Sequence, residues 1–176
     1  HRRRLPHTDN PDPKSALQAK FSIQYATARA LADKAVRLQH FEGDAYAEPR
    51  VQALLKRTSA RPHPDMPDDS PKQFGAEVIV TLADGRKVAR RVDHMVGRSP
   101  EYPMTSDEMF EKFSDCARRA LPKGQIAPLF ERLETLESAA DIDTVVRMME
   151  PLGPVEAPRK AKIKVEAGVV EPSFVP

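Results

Sequence analysis

Residues 77–92, with the sequence EVIVTLADGRKVARRV, decide the fold class of this chain. An Asp-Gly pair between two runs rich in β-branched residues strongly favours a β-hairpin, here with its turn at Ala83-Asp84-Gly85. Side chains alternate along a strand, so Val78 and Val80 share a face that Val88 can join. The opposite face is polar, which is typical of an antiparallel sheet covered on one side only.

Helices are predicted before this hairpin. Residues 14–39 contain no Gly or Pro and many Ala, with apolar side chains at helical spacing, so we predict a long helix with room for one break. Asp12 and Pro13 fit its N-cap and first position. A second helix should run from Pro49 to about residue 57. Four prolines within residues 58–74 then predict an irregular loop, preceded by a short edge strand at residues 58–61.

Helices also follow the hairpin. Thr105 and Glu108 have the spacing of a capping box, so a helix should start there and run to about residue 121. Its apolar stripe, expected to be buried, comprises Met109, Phe110, Phe113, Ala117 and Leu121. Two further helices are predicted at residues 126–136 and 141–150, the second capped by Asp141.

The predicted fold class is therefore α+β, a small antiparallel sheet with a long helix followed by a run of helices. We divide the chain into an α+β lid-like domain at residues 1–104 and helices of an all-helical domain at residues 105–150. Residues 151–176 hold five prolines and little periodicity, so they should form a flexible tail.

Composition excludes several classes of function. The 176 residues carry a formal net charge of +2 and a single cysteine, Cys116, so a polyanion-seeking protein and a disulfide scaffold are both disfavoured. No apolar run reaches the ~18 residues of a membrane span. We expect a cytoplasmic protein that binds neither membrane nor nucleic acid, with the basic residues 2–4 simply solvated.

No strong catalytic or cofactor motif is present. The chain lacks GxxxxGK[ST], GxGxxG and CxxC, and its five histidines are scattered without metal-ligand spacing. We therefore predict no metal and no organic cofactor. Cys116 lies on the apolar-leaning side of a predicted helix, so we expect it to be packed like a small hydrophobic residue rather than to act as a nucleophile.

Residues 19–25, AKFSIQY, form the most suggestive polar segment. The predicted helix places Lys20, Ser22 and Gln24 in its first turns, where an ammonium group, backbone donors and the helix dipole would favour a bound carboxylate. The simpler interpretation is a helix with ordinary polar exposure.

This segment and the features after it resemble the C-terminal half of the MmgE/PrpD family. The resemblance continues through the helix opened at Pro49, the hairpin, the loop ending at residues 103–108 and the helix after it, and it covers roughly residues 1–150. It implies a two-part fold, in which a helical domain is completed by the last helices of the chain and a smaller α+β domain acts as a lid.

The resemblance also implies an activity. Such proteins act on small polycarboxylates without a metal or cofactor, as 2-methylcitrate dehydratases, cis-aconitate decarboxylases or iminodisuccinate epimerases. Removal of a proton or CO₂ beside a carboxylate needs cations and a general acid or base. By this resemblance Lys20 is the predicted catalytic cation, Ser22 and Gln24 orient the substrate, and Lys14 is a second substrate-binding cation.

We predict the C-terminal part of an MmgE/PrpD-like lyase or isomerase for a di- or tricarboxylate, inactive as an isolated chain. Its partners should be a missing N-terminal helical domain or a second subunit, with homo-oligomers such as dimers forming through residues 106–150. The alternative is a non-catalytic interaction module derived from that family. A third interpretation, a nucleic-acid binder with a basic arm, would require steeply salt-dependent binding.

Overall fold

The structure is a computed structural model that describes residues 5–67, 70, 72 and 74–155. Residues 2–4 and the part of the predicted tail beyond residue 155 lie outside the described residues. Helices and one hairpin make up the fold, which confirms the α+β class. The α-helices are α1 (Leu5–Thr8), α2 (Ala16–Lys20), α3 (Ile23–Asp33), α4 (Pro49–Leu55), α5 (Ser106–Ala117), α6 (Lys123–Glu134) and α7 (Ile142–Arg147). Three 3₁₀ helices span Leu38–Phe41, Ala45–Ala47 and Leu136–Ser138, and the strands are β1 (Ala76–Thr81) and β2 (Lys87–Val92).

The one break that the prediction allowed is present, since Ser22 separates α2 from α3, but the predicted extent of the long helix is wrong, because α-helix covers only Ala16–Lys20 and Ile23–Asp33. Ser15 caps α2 by accepting the Gln18 N–H, and Ser22 caps α3 by accepting the Tyr25 N–H at 2.9 Å. Both serines have extended backbone, as N-caps do. The expected cap at Asp12 and Pro13 is therefore not used. Helix α3 ends at Asp33, because Lys34 adopts the left-handed conformation with φ of 59°.

The core of the N-terminal region lies where α2, α3 and α4 meet. Ala19, Tyr25, Ala28, Val51 and Leu55 are buried together, and Ala32, Phe41, Tyr46 and Leu54 pack around them. These positions recur at helical spacing on α3 and α4, so each helix covers the apolar face of its neighbour.

The hairpin has the predicted strands and turn. Val80 pairs with Val88 and Val78 with Arg90, and Gly85 supplies the positive φ of 82° that the turn requires. Its apolar face is largely open, with Val88 55% exposed. The loop before the hairpin contacts the polar face instead, through an ion pair of 3.0 Å between His63 Nε2 and Glu77 Oε2.

The predicted edge strand at residues 58–61 is wrong. The backbone there has no regular secondary structure, and the prolines at 62 and 64 directly follow it. The Thr58 hydroxyl turns back to donate to the carbonyl of Leu54, which extends the end of α4 rather than starting a strand.

Helix α5 begins at the predicted capping box. Thr105 N–H donates to Glu108 Oε2 at 2.9 Å, and Glu108 N–H donates to Thr105 Oγ1 at 3.2 Å. The expected burial of its apolar stripe is wrong within α5, where no side chain is fully buried and Met109 and Phe110 are exposed. Cys116 is also exposed rather than packed.

The chain divides into two compact units, residues 1–116 and 117–176. In the second unit, α6 and α7 bury apolar side chains, and Asp141 caps α7 as predicted by accepting the Thr144 N–H at 2.7 Å. The buried apolar residues of this unit are Leu121, Ile126, Leu129, Phe130 and Val145. The assignment of residues 105–150 to a larger helical domain stays a prediction.

Candidate functional site

Lys20 does not occupy the position that the sequence suggested. It is the last residue of α2, not part of the first turns of a long helix, and its side chain is exposed. Lys20 therefore lies at the negative, C-terminal end of the α2 dipole, which stabilises a cation. The predicted position of Lys20 near a helix N-terminus is wrong. Its role as the cation of a substrate site stays a prediction.

Ser22 and Gln24 are buried, with 3% and 1% of their surface exposed. The Ser22 hydroxyl donates to the carbonyl of Asn10, and the Gln24 side-chain amide donates to the Asp9 carboxylate. Both side chains therefore hold residues 9–10 against the start of α3. A ligand could reach them only after that segment moved, so their immediate role here is to position the segment that leads to Lys14.

Lys14 lines an open groove of about 440 Å³. One wall is the segment before α2, and the other is the end of α4. The lining residues are Pro11, Asp12, Lys14, Gln52, Leu55, Lys56 and Thr58. Lys14 Nζ lies 2.6 Å from Asp12 Oδ2, and both side chains are more than half exposed. Two lysines, Lys14 and Lys56, therefore line the groove, and the ammonium group of Lys14 is already paired with a carboxylate.

Lys56 was not singled out from the sequence. It follows the last residue of α4 and is separated from Lys14 by more than forty residues, so only the packing of α4 against the N-terminal segment places the two lysines on one groove. No spacing within a short stretch of sequence could have indicated that these two lysines line the same groove.

A buried ion network lies behind this region, centred on Arg29. The Arg29 guanidinium donates to the Tyr25 hydroxyl, to Asp33 Oδ2 at 3.1 Å and to Glu48 Oε2 at 2.6 Å, and Ala45 O accepts a further bond at 2.6 Å. Tyr25, Arg29 and Asp33 are spaced four residues apart on α3, so they lie on one face of the helix. That spacing is the signal that the sequence analysis missed.

The network changes the pKa of its members. Burial raises the pKa of the Tyr25 hydroxyl above its ordinary value. Burial alone would raise the pKa of Asp33, but hydrogen bonds from Arg29 and Arg50 outweigh it and lower the pKa. Because all of these charges are partnered, the network is suited to holding α3 and the start of α4 together rather than to reacting with a substrate.

His40 joins this network from the 3₁₀ helix Leu38–Phe41. Its carbonyl accepts from the Tyr25 hydroxyl, its Nδ1 accepts the Arg37 N–H at 3.0 Å, and its Nε2 lies 3.7 Å from Asp33 Oδ2. Burial, and then the charge of Arg29, lower the pKa of His40. The fold therefore favours the neutral imidazole with its proton on Nε2.

Within the described part of the chain, no three His, Cys, Asp or Glu side chains are grouped in a way that could hold a metal ion. None of the helices in that part combines the length and the apolar character needed to cross a bilayer. The expected lack of a cofactor stays a prediction.

Comparison with known proteins identifies the family. The family model described as the MmgE/PrpD C-terminal domain matches residues 1–135, which is more than half of the chain. The chain belongs to the MmgE/PrpD family. The resemblance inferred from the sequence is thus confirmed, although the match ends before residue 150, where we had placed its limit.

The chain is also similar to a curated protein with a named activity. The chain is 26% identical over 144 residues to a protein named cis-aconitate decarboxylase from Mus musculus. The alignment covers 82% of this MmgE/PrpD family chain but only 29% of the mouse protein. The chain therefore spans about 29% of the length of the relative that it matches.

Proposed function

We propose that this chain is the C-terminal part of a cofactor-independent lyase or isomerase that acts on a small di- or tricarboxylate. Membership of the MmgE/PrpD family supports the proposal, together with similarity to a decarboxylase whose named substrate, cis-aconitate, carries three carboxylates. Dehydration, decarboxylation and epimerisation of such acids all generate negative charge beside a carboxylate, which nearby cations can stabilise.

The groove that contains Lys14 and Lys56 carries the proposal on this chain. Two ammonium groups on one groove can each bind one carboxylate of the same molecule, and charge-assisted hydrogen bonds of this kind are stronger than neutral ones. An incoming carboxylate would take the place of Asp12 on Lys14. The groove therefore favours a ligand with at least two carboxylates over a monocarboxylate, which could use only one lysine.

Lys20 is our proposed catalytic cation. Its exposed ammonium group has no ion pair or hydrogen bond with the described residues, so it is available to a substrate held partly by another polypeptide. Ser22 and Gln24 contribute to substrate binding by fixing the segment that leads to Lys14. In this proposal a general acid or base comes from an N-terminal helical domain or from a second subunit, and the isolated chain is inactive.

A titration tests the carboxylate site. Citrate is added to ¹⁵N-labelled protein, and amide shifts are expected at residues 12, 14 and 52–58. Lys14→Ala and Lys56→Ala should each weaken citrate binding about two- to fivefold, as expected for the loss of an exposed charge pair. Lys87→Ala, a change on β2 outside the groove, is the control. Shifts confined to other residues, or equal weakening by Lys87→Ala, would contradict the assignment.

Catalysis is tested by adding the rest of the enzyme. The chain is assayed against a panel of small polycarboxylates alone, and then with the helical half encoded upstream or in a neighbouring gene. We expect turnover only in the combined sample, with loss of activity in Lys20→Ala. Robust turnover by the 176-residue chain alone would overturn the proposed inactivity.

The alternative is a non-catalytic interaction module, which the open apolar face of the hairpin favours. Val78, Val88 and Val92 are all exposed on that face. If no helical half is encoded near this chain, and if a polycarboxylate panel yields neither binding nor turnover, the module becomes the better interpretation.

A further inference from the structure

Residues 37–38 connect the N-terminal core to α5. The Arg37 guanidinium forms an ion pair with the Glu111 carboxylate, and the Leu38 N–H donates to Asp115 Oδ2 at 3.0 Å. Glu111 and Asp115 are one turn apart on α5, so both contacts lie on the same face of that helix. Because α5 has no fully buried side chain, these polar contacts carry a larger share of its attachment than they would in a well-packed helix.

His40 fixes the conformation of this connecting segment. The backbone N–H of Arg37 donates to His40 Nδ1 at 3.0 Å, and the backbone N–H of His40 donates back to the Arg37 carbonyl at 3.0 Å. The two hydrogen bonds close a ring that sets the direction of the Arg37 and Leu38 backbone. The ring requires Nδ1 to be an acceptor, since a proton on Nδ1 would place two N–H donors face to face.

We propose that His40 is a proton-operated latch: the neutral imidazole holds residues 37–38 in the conformation that binds α5, and protonation of Nδ1 releases α5 from the core. The device goes beyond the proposed enzymatic function and does not depend on it. It would loosen the part of the chain that carries the exposed Met109 and Phe110 when the surroundings become acidic.

The charges around His40 come from three directions. Arg29 and Asp33 face it from α3, Glu48 from the start of α4, and Asp115 from α5. Burial and Arg29 disfavour the imidazolium, whereas Asp33, Glu48 and Asp115 favour it, and the net effect is a lowered pKa of His40.

The sign of the pH effect follows from this direction. The folded pKa of His40 lies below its ordinary value of 6.5, so the unfolded chain takes up the proton first. The contribution of neutral His40 is fully present above pH 6.5 and declines as the pH falls from there through the folded pKa. The latch should therefore open below pH 6.5, as the pH falls through the folded pKa of His40.

Cys116 provides a specific probe. It is the single cysteine of the chain, it is exposed, and it follows Asp115 on α5. A nitroxide attached to Cys116 of the full chain reports the mobility of α5 by electron paramagnetic resonance. As the pH is lowered from about 7.5 through the titration of His40, we expect the mobile fraction to rise roughly two- to tenfold, as for the loss of one hydrogen bond.

His40→Asn is the matched variant. Its side-chain oxygen can accept the Arg37 N–H from nearly the position of Nδ1, but it does not titrate, so the label should remain immobile across this pH range. Asp115→Ala removes the acceptor for the Leu38 N–H and should give a mobile label already at neutral pH. An unchanged pH response in His40→Asn, or a label whose mobility ignores pH in the wild type, would overturn the latch.

A second measurement covers the case in which His40→Asn fails to fold. Nuclear magnetic resonance of the imidazole nitrogens of the wild type gives the protonation state of His40 directly. The latch requires an unprotonated Nδ1 at neutral pH and a titration midpoint that coincides with the midpoint of label mobility. A proton on Nδ1 at neutral pH, or two clearly separated midpoints, would contradict it.

Discussion

The helical region at residues 15–58 and the hairpin at residues 76–92 contain a similar proportion of apolar residues. They differ in how far these side chains are buried. In the helical region Tyr25, Val51 and Leu55 are fully enclosed, whereas in the hairpin Val88 is 55% exposed. Helices α2, α3 and α4 cover one another from several sides. A two-stranded sheet offers a single layer and cannot cover its own face.

This difference shows where the stability of the N-terminal unit resides. The helical region adds a satisfied ion network to its core, and each member of that network is contacted by another helix or loop. Among the described residues, His63 and Asp65 contact the hairpin on its polar face, whereas Val78, Val88 and Val92 of its apolar face are exposed. The helical region should therefore respond strongly to substitution and the hairpin face weakly.

The largest effect is expected from Arg29→Ala. It leaves Asp33 and Glu48 partly buried without their main partner, so the free energy of unfolding should fall by about 3 to 5 kcal/mol in urea denaturation. Arg50→Ala is the control, because Arg50 pairs with the same two carboxylates from a side chain that is 55% exposed. It should cost less than about 1 kcal/mol. Equal losses would mean that burial does not distinguish the two arginines.

Leu55→Ala should be the next most damaging change. It opens a cavity in the core between α3 and α4 and should lower the free energy of unfolding by about 2 to 4 kcal/mol. Leu17→Ala makes the same substitution at an exposed position of α2 and should stay within about 0.5 kcal/mol of the wild type. If Leu55→Ala lowered the free energy of unfolding only slightly, Leu55 would not be part of the core.

A smaller loss is expected for Ser22→Ala. The variant removes the N-cap of α3 and the bond to the Asn10 carbonyl, so stability should fall by about 1 to 2 kcal/mol. The amide resonances of residues 9–14 should shift with it, because Ser22 anchors that segment. Ser15→Ala removes only the cap of the short α2, so it should lower stability less than Ser22→Ala. The amide resonances of residues 9–10 should stay unchanged in this variant.

Val88→Thr should have almost no effect on stability. The change keeps the β-branched shape at an exposed strand position, so the free energy of unfolding should move by less than about 0.5 kcal/mol. Val51→Thr introduces the same hydroxyl into the core and should cost about 1 to 3 kcal/mol. A marked loss in Val88→Thr would show that the apolar hairpin face is covered in solution, for example by a second copy of the chain.

Features that depend on neighbours in the sequence were predictable. The hairpin turn at Gly85, the Thr105–Glu108 capping box and the Asp141 cap each involve residues within four positions of one another, and all three are present. The α+β class follows from them, and the ordered set of motifs was enough for the family.

Features that depend on distant neighbours were not predictable. Lys56 lines the same groove as Lys14, and Arg29 reaches Glu48, only because α4 folds back onto the N-terminal segment and α3. Periodicity suggested a buried stripe on α5, but whether an apolar face is covered depends on what packs against it.

The sequence by itself thus determined the hairpin, the caps of α5 and α7, and the family, because those depend on local hydrogen bonding and on the order of motifs. The tertiary structure alone decided which charges are buried, which lysines share a groove and which apolar faces stay open. Burial and electrostatic pairing are properties of surfaces brought together from far apart in the chain, and no local pattern records them.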